Sequence, residues 1–266
     1  MTTQTIWTET YDVNTIVLDS RKKLGLYGLL NILQDAAWLH ASHLGWGYED
    51  LIRHGTIWVL ARQKLAMADW PHWRDVVTIR TWARPSSGAL ATREFEILVG
   101  ENKLGECTTS WLILNYETRR PQKLDRAFHD TLCRKDGFLT IEAKKIAPGT
   151  GLKPVAEFLV RDSDLDINGH VNNTRYAQWI LDSMAAEELA AFRLTDYEVN
   201  FLSETRVGDT VVIERGEMEP SGGALRCAFQ GRRATDEKPA FVASLGVTRG
   251  GDEELVPHPT NRHGRA

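Results

Sequence analysis

Residues 75–79 read Asp-Val-Val-Thr-Ile, and residues 209–213 read Asp-Thr-Val-Val-Ile, an offset of 209 − 75 = 134 positions. The turn-forming stretch Pro-Ser-Ser-Gly-Ala-Leu at 85–90 recurs as Pro-Ser-Gly-Gly-Ala-Leu at 220–225, an offset of 220 − 85 = 135. Hairpin turns reuse Pro, Ser and Gly for their backbone geometry, so one such match carries little weight. Two matches at nearly the same offset indicate an internal repeat of about half the chain.

A third match keeps the same register. Ser110 precedes Trp-Leu-Ile and Ser244 precedes Leu-Gly-Val, again at an offset of 244 − 110 = 134. The alternative is two unrelated antiparallel sheets that happen to use similar turns. Three matches in the same order favour a duplicated unit.

Each half begins with a helical pattern and continues with strand-like runs. Apolar residues at spacings of three, four and seven give each predicted helix one apolar face. In the first half they are Leu26, Leu29, Leu30, Leu33, Ala37 and Leu44, and in the second Tyr176, Trp179, Ile180 and Met184. Strands are predicted at 57–67, 76–82, 91–99, 108–116, 198–202, 210–215, 225–230 and 241–248.

One amphipathic helix covered by a curled antiparallel sheet is the hotdog arrangement, and two such units must pair to bury their remaining apolar surface. The sequence therefore predicts an α+β fold, a tandem or double hotdog in one chain. We expect an N-terminal hotdog at 1–133, a linker at 134–153 where Lys, Pro and Gly interrupt the periodicity, and a C-terminal hotdog at 154–250. The remaining residues, 251–266, are predicted to be a disordered tail.

Charge and composition exclude several classes of protein. The 266 residues include 32 basic and 36 acidic side chains, a net charge of −4, which predicts no general attraction to nucleic acid or to an anionic membrane. The first eleven residues lack an apolar signal core and no long apolar run follows, which predicts a cytoplasmic protein without membrane insertion. Three widely spaced cysteines fit neither a disulfide framework nor a clustered zinc site.

The polar stretch 164–173 reads Asp-Leu-Asp-Ile-Asn-Gly-His-Val-Asn-Asn and comes directly before the second helical pattern. Gly169 permits a tight turn, and Asn172 or Asn173 can cap the helix. The first N–H groups of a helix have no intrahelical partner and make its start locally positive. A carbonyl oxygen that becomes negative during a reaction is stabilised there, so this stretch is the candidate catalytic site.

This stretch resembles the motif Asp-x-Asn-x-His-Val-x-Asn of the acyl-ACP thioesterases of plants and bacteria, which are double hotdog enzymes. The matching positions are Asp166, Asn168, His170, Val171 and Asn173. The resemblance continues in Tyr176 and in 179–181, and in the first half in 30–34 and 111–121. It therefore covers nearly the whole chain.

The family also carries a glutamate in the strand after the helix, usually followed by cysteine. Residues 201–205 read Phe-Leu-Ser-Glu-Thr, so the glutamate is Glu204 and Thr205 stands where cysteine is usual. This departure argues against a cysteine nucleophile. In the first half the repeat carries Glu204 back to Trp70, and the turn before the helix, taken as 24–28, holds no Asn or His. We expect only the second half to carry the chemistry.

The resemblance implies hydrolysis of a fatty acyl thioester. Such a carbonyl is already electrophilic, so the reaction needs a positioned water, a base and donors for the oxyanion, with no cofactor and no metal. We expect Glu204 to activate water, Asn168 and a helix-start N–H to hold the carbonyl, and His170 to orient water or substrate and assist the leaving thiolate. Asp166 would brace the turn, with a simple Asx turn as the alternative. The division of roles between Glu204 and His170 stays open.

The first half is expected to set the length of the acyl chain, since it keeps a helix and a sheet without the chemistry. Ala36 and Ala37 interrupt a helix face that includes Leu33, and small side chains leave room for a ligand. Leu33 and Ala37 are therefore the predicted substrate-binding residues. The alternative is that the alanines only let helix and sheet approach closely. Most of the eight tryptophans that precede the second half are assigned to core packing.

The resemblance also implies the partner, an acyl carrier protein that bears a fatty acyl-phosphopantetheine. An acyl-CoA thioesterase and a non-catalytic acyl-binding protein are the alternatives. Because acyl carrier protein is acidic, we expect a local basic patch to meet it, drawn from Arg21, Lys22, Lys23, Arg119, Arg120 and Lys123. A monomer and a homodimer are both compatible with the sequence, and the preferred acyl chain is not predicted.

Overall fold

The computed structural model describes residues 4–87, 89–123 and 126–250 of the chain. Within these residues, strands form one antiparallel sheet that curls around two central helices. The strands are β1 (Trp7–Asp12), β2 (Thr56–Met67), β3 (Val76–Ser87), β4 (Leu90–Val99), β5 (Asn102–Asn115), β6 (Lys153–Leu159), β7 (Phe192–Phe201), β8 (Thr210–Ser221), β9 (Ala224–Arg233) and β10 (Pro239–Arg249). The helices are α1 (Leu26–His43), α2 (Tyr48–Arg53), α3 (Arg126–Thr131), α4 (Asn173–Asp182) and α5 (Ala186–Ala191).

The strand order reveals the duplication. It is β1-β3-β4-β5-β2-β7-β10-β9-β8-β6, so the second half repeats the order of the first in reverse. Strands β3 and β8 begin at 76 and 210, and β4 and β9 begin at 90 and 224, an offset of 134 in both pairs. The predicted repeat and the predicted tandem hotdog are confirmed.

The two halves share one core beneath the sheet. Leu29 and Leu33 of α1 and Ile180 of α4 are fully buried in the same cluster as Phe95 and Phe229 of the sheet. Burying such a side chain contributes roughly 1.5–3 kcal/mol relative to leaving it exposed. Helix α1 is therefore fixed along its whole apolar face, and this gives the neighbouring ligand pocket a rigid wall.

The seam between the halves decides which loops meet. Strand β2 pairs antiparallel with both β5 and β7, from Arg62 opposite Asn200 to Ala66 opposite Asp196 in the second pairing. Since β5 and β7 are both antiparallel to β2, they run in the same direction, and their last residues lie at the same end of the sheet. The loop after β5 and the loop after β7 are thus brought together, although they belong to different halves.

The segment 132–152 contains neither helix nor strand and crosses the outer face of the sheet. The Leu139 N–H donates to Glu94 on β4 at 3.2 Å. The Ile146 N–H donates to Asn200 on β7 at 2.7 Å, and Asn200 Nδ2 donates to the Lys144 carbonyl at 3.0 Å. These contacts give the path between the halves, while the domain limits at 133 and 153 stay predictions.

Two strands and three short helices were not predicted. Strands β1 and β6 form the two edges of the sheet, where one face is exposed and charged side chains or Pro154 replace a continuous apolar pattern. Helices α2, α3 and α5 have six residues each, too short for a clear apolar period. The predicted tail, 251–266, lies outside the described residues. Across the described chain, no helix is both long and apolar enough to cross a bilayer.

Candidate active site

The polar motif forms a tight turn, which we call the site turn (residues 165–171). Asp166 Oδ1 accepts hydrogen bonds from the backbone N–H groups of Asn168 at 2.8 Å and His170 at 3.3 Å. The Asp166 N–H donates to the His170 carbonyl at 2.8 Å, and Gly169 has a φ of 72°, which favours glycine. Asp166 therefore closes an Asx-type turn and, by the same bonds, fixes Asn168 and His170.

His170 meets a carboxylate from the loop after β7. Its Nε2 lies 3.2 Å from Glu204 Oε2, and both side chains are only partly exposed. Glu204 lies in this loop, three residues beyond the end of β7 at Phe201, and not on a strand as expected. Arg206 from the same loop lies 3.5 Å from Glu204 Oε2, with two thirds of its side chain exposed. The predicted pair of His170 and Glu204 is thus brought into contact.

Asn168 lies beside the start of α4. Its Nδ2 faces Asp166 Oδ2 at 3.4 Å, while its Oδ1 is buried and makes no hydrogen bond to the described residues. Asn172 is the N-cap of α4 and accepts from the Thr174 N–H at 3.1 Å, which confirms one of the two predicted caps. Buried polar atoms are normally paired, so Asn168 Oδ1 is left available to accept a hydrogen bond.

A pocket of about 840 Å³ begins at the site turn. This volume lies within the range of small-molecule sites. The pocket follows α1, and the Thr174 hydroxyl holds α4 against Asn31 near its beginning, at 3.1 Å. The site turn contributes Asp166, Ile167 and Asn168 to the lining. Helix α1 and the residue after it contribute Asn31, Gln34, Ala37, Trp38, Ala41 and Leu44. Other parts of the first half contribute Trp46, Trp58, Arg93, Trp111 and His129.

The contact between the His170 side chain, which belongs to the site turn, and Glu204 lies outside this pocket. Neither side chain lines the pocket. Glu204 lines a separate surface depression of about 410 Å³, together with two arginines, two aspartates and a threonine: Arg206, Arg233, Asp209, Asp236 and Thr235. The site turn therefore separates an apolar pocket from a polar, solvent-facing depression. A substrate with an apolar tail and a polar carrier arm can occupy both, with its reactive group at the turn.

Comparison with known proteins agrees with this geometry. Residues 4–132 match the model of the acyl-ACP thioesterase N-terminal domain, and residues 151–245 match that of the acyl-ACP thioesterase C-terminal domain. The chain belongs to the acyl-ACP thioesterase family. The predicted family is confirmed, and with it the class of thioester hydrolases.

Relatives and solved structures extend the likeness over most of the chain. Oleoyl-acyl carrier protein thioesterase 1 of Arabidopsis thaliana is 29% identical over 92% of this chain and 73% of its own length. A coriander oleoyl-acyl carrier protein thioesterase is 30% identical over 69% of this chain, which spans 55% of that relative. The crystal structure of an acyl-ACP thioesterase from Bacteroides thetaiotaomicron has a TM-score of 0.81, at 25% identity over 91% of this chain and 98% of its own. The 12:0-ACP thioesterase from Umbellularia californica has the same fold, with a TM-score of 0.82 at 17% identity over 92% and 94%.

The first half of this acyl-ACP thioesterase family member keeps a copy of the site turn, which we call the first-half turn (residues 18–24). The bridge from Leu18 to Leu24 matches the bridge from Leu165 to Val171, at an offset of 165 − 18 = 171 − 24 = 147. Asp19 Oδ1 accepts from the N–H groups of residues 21 and 23 at 2.9 and 3.1 Å, as Asp166 does. From the sequence, this turn was expected at 24–28, and that position is wrong. Helix α4 has 10 residues and α1 has 18, so the offset between the two halves is larger before the helices than after them.

Chemistry has been lost from the first-half turn while its backbone remains. Arg21 takes the place of Asn168, and Lys23 takes the place of His170. The Arg21 guanidinium donates to the Phe192 carbonyl at 2.7 Å and to Asp19 Oδ2 at 2.9 Å, so it closes the position that a substrate carbonyl would need. The adjoining pocket measures about 260 Å³. The expectation that only the second half carries the motif side chains agrees with this geometry.

Thr205 plays a structural part where the family usually has cysteine. Its side chain is fully buried and hydrogen bonds to the Tyr176 hydroxyl, and its carbonyl accepts from the Val171 N–H at 3.4 Å. Thr205 therefore ties the Glu204 loop to α4 and to the site turn. The side chain of Glu204, its neighbour, is left facing His170.

The three cysteines are buried and lie outside the site turn and the Glu204 loop. Burial raises the pKa of the Cys107 and Cys133 thiols to about 12, and it also raises the pKa of Cys227. Thiols with such pKa values remain protonated near neutral pH and are poor nucleophiles. This supports the prediction that the reaction does not use a thiol.

The described residues contain one group with the donor atoms of a metal site, which the sequence had not indicated. Atoms of His129, Asp130 and Cys133 lie within 4.8 Å of one another. Within this group, His129 Nδ1 lies 3.5 Å from Cys133 Sγ and 3.3 Å from Asp130 Oδ1, so the three side chains already contact one another. His129 also stacks edge-on against Trp46, at 6.1 Å between ring centroids, and lines the pocket. The group therefore lies beside the pocket, with His129 in its lining.

The predicted substrate-binding residues have different positions. Ala37 lines the pocket and is also buried in the shared core, at 6% exposure, and its contact with substrate stays a prediction. Leu33 is 1% exposed in the shared core and is not among the residues that line this pocket, so its contact with substrate stays a prediction. Ala36, also fully buried, packs in the same core. Four of the eight first-half tryptophans line the pocket or its rim, so core packing accounts for fewer of them than expected.

The six basic residues proposed as one patch do not lie together. Arg21 contacts the beginning of β7 at Phe192, whereas Arg119 lies beyond its other end, near Glu204. Ten residues of strand separate these positions, about 30 Å. Arg119 is moreover directed into the site, so only its neighbours in the loop after β5 remain candidates for a carrier surface next to the site.

Proposed function

We propose that this protein hydrolyses the thioester of fatty acyl-acyl carrier protein and releases the free fatty acid. The observation that carries the proposal is the contact of His170 with Glu204 at 3.2 Å, beside a turn braced by Asp166, where an acyl-sized pocket begins. Family membership supports the same reaction. No cofactor and no metal are needed for it.

The pocket along α1 holds the acyl chain, and the thioester carbonyl lies against Asn168 and the start of α4. An amide nitrogen carries two N–H groups, and Asp166 uses one of those of Asn168. The other, together with a backbone N–H of the helix start, donates to the carbonyl oxygen as it becomes negative. Removing one such donor typically lowers kcat by about a hundredfold to a thousandfold.

Glu204 activates the water. A carboxylate oxygen of Glu204 takes a proton while the water oxygen attacks the carbonyl carbon. Collapse of the tetrahedral intermediate breaks the C–S bond, and the thiolate takes a proton from His170 or from the protonated Glu204. The products are the fatty acid and the free thiol of the carrier. The contact between His170 and Glu204 makes either proton path geometrically accessible.

The carrier arm approaches through the depression that Glu204 shares with Arg206 and Arg233. Arg233 is occupied by Asp236 and by the Glu204 carbonyl, so the exposed guanidinium of Arg206 is the group that suits a phosphopantetheine phosphate, since arginine binds phosphate through paired N–H donors. The relatives from Arabidopsis and coriander are named for acyl carrier protein substrates, which supports the same carrier here.

Steady-state hydrolysis of matched acyl-ACP and acyl-CoA series tests the proposal. We expect kcat/KM to be at least about tenfold higher for acyl-ACP, which corresponds to 1.4 kcal/mol of additional carrier contact. Equal or higher values for acyl-CoA would make the protein an acyl-CoA thioesterase. Tight binding of acyl chains without turnover of either series would make it an acyl-binding protein.

A further inference from the structure

One side chain of the first half reaches the site. Arg119 lies in the loop after β5, and its guanidinium is 3.4 Å from His170 Nε2 and 3.7 Å from Glu204 Oε1. The sheet explains why Arg119 lies near His170 and Glu204, because β5 and β7 both end at the same end of the sheet. The cluster that contains the proposed base is therefore assembled from both halves of the duplication.

The loop holds Arg119 in an uncommon backbone conformation. Its φ is 56°, in the left-handed region that side chains other than glycine rarely adopt. Asn115 fixes this geometry: its Oδ1 accepts from the Thr118 N–H at 2.8 Å, and its carbonyl accepts from the Arg119 N–H at 3.0 Å. Strain of this kind costs about 1–3 kcal/mol and persists where neighbouring structure enforces it, which is common at functional sites.

The guanidinium is not part of a saturated salt bridge. Both of its contacts in the site are longer than good hydrogen bonds, and its buried Nη1 makes no hydrogen bond to the described residues. Arg206 is the other arginine within 4 Å of the Glu204 carboxylate among the described residues, and it is 68% exposed, against 29% for Arg119, so solvent screens it more. Arg119 thus places the less screened positive charge next to His170 and Glu204, with one N–H group unused.

We propose that Arg119 is a positioning residue of the hydrolase, which orients the Glu204 carboxylate toward water and holds it against His170. The inference rests on the proposed function of Glu204. His170 Nε2 can donate to Glu204 or accept from Arg119, but one nitrogen cannot do both at once. Arg119 therefore also biases which partner the imidazole uses, and the catalytic half depends on a charge supplied by the other half.

The test compares Arg119→Gln with Arg80→Gln in steady-state hydrolysis of a small acyl thioester, which avoids carrier docking. Arg80 makes an arginine–carboxylate pair with Glu96 on the sheet, at 2.9 Å, and serves as the matched control for loss of such a pair. We expect Arg119→Gln to lower kcat by about tenfold to a hundredfold, the scale for a misplaced catalytic group, with KM changed less than about twofold. Arg80→Gln should keep wild-type kcat. Added guanidinium ion should restore part of the rate of Arg119→Ala.

A double-mutant cycle with Glu204→Gln separates the two proposals. If Arg119 acts through Glu204, its removal should have little further effect in the Glu204→Gln background. Independent, multiplicative losses would overturn the inference, as would an Arg119→Gln variant with wild-type kcat or one whose rate loss follows a fall in Tm. If instead Glu204→Gln alone keeps wild-type turnover, the proposed role of Glu204 is what fails.

Discussion

Ala37→Phe should shorten the acyl chain that the protein accepts. The pocket follows α1 from Asn31 to Leu44, 44 − 31 = 13 residues, or about 20 Å of helix. Ala37 lies 37 − 31 = 6 residues beyond Asn31, or about 9 Å along this wall. An extended chain of single bonds advances about 1.2 Å per bond. A ring at position 37 therefore obstructs the pocket about seven or eight bonds from its beginning.

The size of the effect follows from the methylenes that can no longer enter. Each methylene group that stays in water loses about 0.8 kcal/mol of binding free energy. Four such groups lose about 3 kcal/mol, which lowers kcat/KM roughly a hundredfold. Chains that end before the obstruction should be hydrolysed at nearly the wild-type rate. Because the ring occupies pocket space, the free energy of unfolding should change by less than about 1 kcal/mol, and Tm by no more than about 2–4 °C.

Ala36→Phe is the matched control, one residue earlier on the same helix. Ala36 is fully buried in the shared core, so a larger side chain there overpacks it, at a cost of about 1–3 kcal/mol. We expect this variant to lose stability and to hydrolyse all chain lengths less well in proportion. The assay is kcat/KM over a series of chain lengths, together with thermal melts. If Ala37→Phe gives the same proportional loss as Ala36→Phe, the pocket along α1 does not select chain length.

Three further predictions concern the chemistry, the carrier and the core. Glu204→Ala, Asn168→Ala and His170→Ala should each lower kcat by at least about a hundredfold, while a variant with all cysteines changed to Ser keeps most activity; a folded but inactive cysteine variant would contradict the water mechanism. Raising the salt concentration should weaken the apparent affinity for acyl-ACP more than that for a small acyl thioester, and equal salt dependence would count against carrier recognition. Burial, with the nearby charge of Arg93, lowers the pKa of His40 from 6.5 to about 3, so between these pH values the unfolded chain binds more protons and the free energy of unfolding falls as the pH falls. Melts of His40→Gln should show a shallower fall in Tm over this pH window, and an unchanged slope would refute the assignment.

The architecture was predictable because the duplication is detectable in short stretches of sequence. Apolar spacing on α1 and α4 and β-rich runs between turns are properties of short windows, and the constant offset of the turns joins them into two units. The sheet edges were not predictable in the same way. Strand β6, with Lys153 and Pro154 at its start, carries the features that keep edge strands from pairing further, and the same features hide it from a search for apolar runs.

The residues of the candidate site also differ in how far the sequence predicts their positions. Asp166, Asn168 and His170 lie within five residues, so their convergence needs only a tight turn. Arg119 lies 170 − 119 = 51 residues before His170 and in the other half, and from sequence it was assigned to the basic patch expected to meet the carrier. The position of Arg119 depends on β5 and β7 ending at the same end of the sheet. Predicting this requires the order of the strands in the sheet, and their positions along the chain do not give that order.

The first-half turn shows that the geometry of the site and its chemistry are separable. Asp19 holds the same backbone bonds as Asp166, and Lys22, with a φ of 62°, keeps the left-handed position that Gly169 occupies in the second half. A turn that needed its shape only for catalysis would have no reason to keep a left-handed lysine once Asn and His were gone. Its shape also begins α1 and fixes the first residues of that helix, which forms the wall of the acyl pocket. The Asp-centred turn is therefore part of the fold in both halves, and the two turns differ in the side chains they carry, Arg21 and Lys23 in one and Asn168 and His170 in the other.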